Sequence, residues 1–356
     1  MTSYANTSAD VADIIKAVSK NKPDWETAQK VFTLGKNSYR NLLPVEGKPI
    51  SWRIMGLSMS ANRGKEAYFL AAENYANYPD KGQYAYKPLH DALYAEGDFA
   101  AGSGKYSCCG VRQSYVSALS RFHGPIYYFH DADAGVLKAF ANKDGAGIGF
   151  AYDELDDAVA LLLAPRVVKK RDGSFAISGR VAPGYNFWDW SSAVAKDACA
   201  ARSNKPDTPK KLLAALLAAK ATVDPTKNTD GPTTSANYAA ALLVAQRHVA
   251  ATFVRAALKA AKDASSNYRS RPSASKCSTE CGISESNLAA AHAYWYVIES
   301  GLATLGANPA ALKAARDLVD PALVNASRTT FSTFATAVKT AVEGAGYSYK
   351  KDVWLC

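Results

Sequence analysis

Histidine and cysteine are scarce in this chain, and the local motifs that usually announce an enzyme are missing. Five histidines (His90, His123, His130, His248 and His292) disfavour a histidine-rich metal enzyme. Six cysteines occur without a single CxxC pair, which argues against a zinc ribbon. There is no GxSxG nucleophile elbow, no GxxxxGK phosphate loop and no HExxH zinc motif. No apolar run reaches the 18 or so residues that a membrane-spanning helix needs, so no transmembrane span is expected. The amino terminus, MTSYANTSADVADIIK, lacks a basic segment followed by an apolar one; the expectation is that a leader was removed and Met1 stands in its place. The net charge of +10 raises nucleic acid as a partner, but the basic residues are scattered. The densest group is only Arg166 with Lys169, Lys170 and Arg171. No nucleic acid is therefore expected, and the positive field suits small anions such as carbonate or phosphate.

What is present describes a globular protein. Apolar residues make up 48% and charged residues 21% of 356, enough to bury a sizeable core. The patterning is mostly α. Residues 8–20 place Val11, Ile14, Ile15 and Val18 on one face, and PDWETAQKVFTLG follows with acids early and Gly35 as a stop. A loop-rich stretch over 37–62 holds a short extended piece at ISWRIM, and helical patterns resume at 63–77, 86–96, 110–141 and 150–163. Residues 164–206 break the pattern, with a small hairpin around Asp172-Gly173 and an aromatic PGYNFWDW. Helical runs then dominate to the end, with Asn308-Pro309 a clear helix start. The expected architecture is two helical, bundle-like halves, 1–163 and 207–356, packed as one body around an irregular connection at 164–206.

The stretch 123–157 carries the densest chemistry. On a helix, groups three or four apart share a face, which puts Tyr127 with His130 and Asp131, and Asp153 with Asp157. With Asp133 and Glu154, this set of phenol, imidazole and carboxylates suits a hard, highly charged cation with some transition-metal character. Arg112 is a candidate for pairing with these acids or for holding an anion beside a metal. Twenty tyrosines against twelve phenylalanines are consistent with packing that keeps a polar handle, or with phenolate ligands for ferric iron. His248, His292, Tyr294, Tyr296 and Glu299 form a second candidate ligand set, although AHAYWYVIES also reads as an aromatic core stripe. Cys277 and Cys281 flank a polar loop that suits a disulfide in an oxidising compartment, with reduced cytosolic thiols as the alternative. Two sequons, at Asn6 and Asn325, are compatible with secretion.

Several segments in order resemble one family, the low-iron-inducible, iron-assimilating surface proteins of algae that include the phytotransferrins. These are DVADIIKAVSKNKPDWETAQKVFTLGKNS, LHDALYAEGDFAAGSGKYSCCGVRQ, YYFHDADAGVLKA, GAGIGFAYDELDDAVAL, HVAATFVRAALKAA and NLAAAHAYWYVIESGL. The chain departs from the family pattern at Asp131, where Glu is usual, at Tyr152, where Trp is usual, and at Ala290, where a Glu would stand. The resemblance implies a non-enzymatic, secreted, periplasmic or cell-surface protein that binds Fe(III), with carbonate or bicarbonate as a synergistic anion and a surface receptor or reductase as partner. The other readings are a metal-dependent enzyme acting on a small anion, and a surface or structural protein without a metal.

Overall fold

The computed structural model describes residues 7–37, 39–41, 51–53, 75, 86–102, 105–106, 108–122, 155, 167–169, 175–177, 187–198, 208–223, 231–269 and 282–353. The protein is mostly helical. In chain order the elements are α1 (Thr7–Val18), α2 (Trp25–Leu34), β1 (Tyr39–Asn41), β2 (Ser51–Arg53), α3 (Tyr86–Tyr94), α4 (Cys109–Ser120), β3 (Val167–Lys169), β4 (Phe175–Ile177), α5 (Phe187–Ala198), α6 (Thr208–Thr222), α7 (Gly231–Ser266), α8 (Ile283–Tyr296), α9 (Glu299–Thr304), α10 (Pro309–Asp317) and α11 (Thr330–Gly344).

Several of the expected start and stop signals act where the sequence places them. Asp24 caps α2 by accepting the amide of Thr27 at 3.1 Å, and Gly35 ends it in the left-handed region with φ of +68°. That leaves Pro23 just ahead of the cap rather than inside the first turn. Asn308 caps α10, its Oδ1 accepting from the amide of Ala310 at 2.8 Å, with Pro309 opening the helix. The extended piece at ISWRIM pairs as β2 antiparallel to β1, and the expected hairpin pairs β3 with β4, Val167 opposite Ile177.

Two further expectations are corrected. The helical pattern over 110–141 does not continue unbroken, because α4 ends at Ser120 with Arg121 as its C-cap. Within the supposedly irregular 164–206, PGYNFWDW leads into a twelve-residue helix, α5. Its Phe187, Trp190 and Val194 recur at i, i+3 and i+7 and are buried, a periodicity that the cluster of aromatics masks in the sequence.

One buried apolar cluster runs from Val11 in α1 to Val353, so the two halves share a core. Phe253 of α7 lies at its aromatic centre, fully buried, with ring centroids 5.2 Å from Phe122, 4.8 Å from Trp190 and 6.1 Å from Tyr294. The other central helix is α8, where Leu288, Ala289, Ala291, Ala293 and Trp295 are all completely buried. A helix that is apolar nearly all round belongs in the middle of a body. It packs against α7 and against α4, and Trp295 Nε1 donates to the carbonyl of Leu312, tying it to α10. A polar side chain in the second half of α8, among these buried residues, is thus forced into the interior.

Candidate functional site

His292 is that polar side chain. It is 7% exposed, and three other elements converge on it. From α4 comes Tyr115, whose hydroxyl is hydrogen-bonded to His292 Nδ1. The segment after the short 3-10 turn Gly97–Phe99 brings Tyr106, and the turn after α10 brings Asp320. Tyr106 donates to Asp320 Oδ1 at 2.7 Å, and the same oxygen accepts the amide of Ala322 at 2.8 Å, which fixes the carboxylate in its turn. His292 Nε2 and Asp320 Oδ2 stand 3.9 Å apart, beyond hydrogen-bonding range. The rings of Phe99, Tyr106 and Tyr115 pack at centroid distances of 5.0 to 5.3 Å and hold both phenols in place.

Burial sets the protonation states. Desolvation holds the Tyr115 hydroxyl well above the ordinary phenol range, with Tyr106 and Asp320 adding to the effect. Tyr106 is raised as well, by burial first and then by the Asp320 carboxylate. His292 is pushed down to about 4, because desolvation outweighs the opposing pull of Asp320. At neutral pH the site therefore presents two un-ionised phenols, a neutral imidazole and the carboxyl group of Asp320.

A second buried network adjoins it. Glu299, fully buried at the start of α9, accepts on Oε2 from Tyr75 at 3.1 Å and from Arg316 Nη1 at 3.2 Å. Its Oε1 is buried with no hydrogen-bond partner among the described residues. Desolvation raises this carboxyl to about 7 in spite of Arg316. The Arg316 guanidinium lies 5.6 Å over the Tyr296 ring, which in turn stacks on His292 at 6.4 Å. Arg316 also contributes to the electrostatics of His292 and Tyr115.

Of the residues singled out in the sequence, Tyr127, His130, Asp131, Asp133, Asp153, Glu154 and Asp157 lie outside the described residues. So does the Cys277 to Cys281 pairing. Cys108 and Cys109, by contrast, are both disulfide-bonded. Arg112 is described: its Nε and Nη2 donate to the carbonyls of Ala92 at 3.0 Å and Leu93 at 3.2 Å, and its guanidinium lies 4.0 Å over the Trp25 ring. Those contacts close the carboxyl end of α3 and give no support to an anion role. The second candidate set divides. Tyr294 packs in the aromatic core against Phe253 and Trp190, as the stripe reading expects, while His292 and Glu299 anchor the two polar networks. Tyr106 and Tyr115 escape sequence reasoning because they lie in the other half of the chain from His292, and Asp320 and Arg316 because they stand on or just after a separate element that only folding brings beside it. The available signals are His292 and Glu299 themselves, polar groups within an otherwise apolar run.

No family model, curated protein or solved structure matches this chain.

Proposed function

We propose that the protein is a non-enzymatic ferric iron-binding protein of iron assimilation, and that Tyr106, Tyr115, His292 and Asp320 are its ligands. The observation that carries this reading is the charge count of the buried set. Two phenolates and one carboxylate bear three negative charges, the number needed to neutralise Fe(III), while burial keeps the imidazole neutral and free to act as a nitrogen ligand. Loading releases the phenol protons, so uptake is coupled to pH, and acid returns the protons and expels the ion. The Glu299 oxygen without a partner among the described residues and the neighbouring Arg316 mark the region as polar beyond what packing requires.

Disulfide-bonded Cys108 and Cys109 favour an oxidising compartment, in keeping with a secreted, periplasmic or cell-surface location. Carbonate is the small anion in this proposal, and a receptor or reductase at the surface is the partner. The stretch 123–157 is the rival location for the ligands.

The test is titration of metal-stripped protein with ferric nitrilotriacetate at neutral pH, with and without bicarbonate, watching visible absorbance. A phenolate-to-iron band saturating at about one ion per chain is expected. Tyr115→Phe and Tyr106→Phe should weaken it and lower affinity at least tenfold, while Tyr127→Phe, His130→Ala and Asp153→Ala leave it unchanged. The reverse pattern would move the site to 123–157. No saturable uptake by the natural sequence would end the iron reading.

A further inference from the structure

We propose a second, independent metal site at the carboxyl end of α3, where His90, Asp91 and Glu96 form a surface site for a divalent first-row cation such as Zn²⁺. One ligand atom from each of these residues lies within 4.8 Å of the other two. His90 Nδ1 is 3.6 Å from Asp91 Oδ1 and 3.6 Å from Glu96 Oε2. Those separations are too long for hydrogen bonds. They are close to the spacing of about 3.4 Å that ligands take at the corners of a tetrahedron around an ion with bonds of about 2.1 Å. His90 thus stands from both carboxylates at the spacing of metal ligands rather than of hydrogen-bond partners.

Each donor is oriented in advance. The His90 ring is stacked on Tyr94, at 4.5 Å, and packed against the tilted ring of Tyr86, at 5.2 Å, which sit one helical turn after and before it. Tyr94 is itself hydrogen-bonded to Thr33 of α2 at 3.0 Å. Lys87 holds Asp91 Oδ2 at 2.5 Å, which leaves Oδ1 as the oxygen facing His90. The chain then reverses through Ala95, with φ of +58°, and the Glu96 amide donates to the Asp91 carbonyl at 2.9 Å, returning Glu96 to the histidine. Gly97 follows at φ of +51°, and a Cβ there would stand 2.8 Å from Asp91 Oδ2, so a larger residue would strain the backbone and displace the Asp91 carboxylate. One imidazole and two carboxylates match a borderline divalent ion, with a neutral histidine leaving the charges balanced. The Glu96 side chain is more than half exposed, which leaves solvent access for the remaining coordination position.

The test is calorimetric titration of the full chain with ZnCl₂, paired with visible absorption on addition of Co²⁺, whose spectrum distinguishes a tetrahedral protein site from the hydrated ion. One ion per chain is expected. Glu96→Gln, at an exposed position that keeps the helical circular dichroism, should weaken binding at least tenfold, and His90→Gln should remove the tetrahedral cobalt spectrum. Glu26→Gln, an exposed carboxylate paired with Lys30, should bind as the natural sequence does. Tyr115→Phe should also retain the zinc site, which separates its fate from that of the ferric reading. Unchanged affinity in Glu96→Gln and His90→Gln, or a cobalt spectrum identical to that of the hydrated ion, would overturn the proposal.

Discussion

Glu299→Gln should change how the stability of the metal-stripped protein depends on pH, by an amount set by burial. The Glu299 carboxyl rises from an ordinary value of 4.5 to about 7 on folding, so between these values the folded chain holds a proton that the unfolded chain has lost. Its contribution to stability is full below pH 4.5 and disappears as pH rises through 7. A displacement of about 2.5 at about 1.4 kcal/mol per pH unit is worth about 3 kcal/mol. His292 runs the opposite way. Lowered from 6.5 to about 4, it contributes stability that is present above 6.5 and lost as pH falls towards 4. Across roughly pH 4.5 to 6.5 the two slopes therefore offset in the natural protein. Removing the Glu299 titration exposes the histidine. Urea unfolding followed by far-ultraviolet circular dichroism at pH 4.5, 5.5, 6.5 and 7.5 reads the effect, and the stability of the variant relative to the natural chain should climb by about 3 kcal/mol from the lowest pH to the highest. The loss of one partner of Arg316 adds an offset common to all pH values, so only the change with pH matters. Parallel curves for the two proteins would show that Glu299 does not gain a proton on folding, and the buried network would need another account.

Two further outcomes follow from buried polar contacts. Asp10 is fully buried, and its Oδ1 accepts from the amides of Lys36 and Asn37 and from Asn37 Nδ2, at 2.7 to 3.1 Å. Asp10→Ala leaves these donors without their acceptor and should cost about 3 kcal/mol, measured by chemical unfolding. Arg112→Ala removes two bonds to the α3 carbonyls and the stack on Trp25 and should cost about 2 to 3 kcal/mol; a loss of ferric affinity without a loss of stability would instead restore its anion role.

Local rules account for much of the architecture. Asp24, Gly35, Asn308 and Pro309 act within a turn of their own positions, and amphipathic spacing at Val11, Ile14, Ile15 and Val18 buries one face of α1, so these helices are written into short segments. The hairpin across 164–206 is legible for the same reason, whereas α5 is not, because its aromatics obscure the helical period until they meet Phe253. Helix α8 shows the limit most clearly. Its sequence determines that His292 must be buried with the apolar residues around it, and even suggests that a histidine there, and a glutamate three residues past its end, are unusual. It does not determine what surrounds them. Tyr115 and His292 lie 177 residues apart, and Tyr106 and Asp320 lie 214 apart. Only the packing of α4 and α10 against α8 brings these groups together, and it is their shared burial, a property of the tertiary structure, that fixes the imidazole as neutral and the phenols as un-ionised.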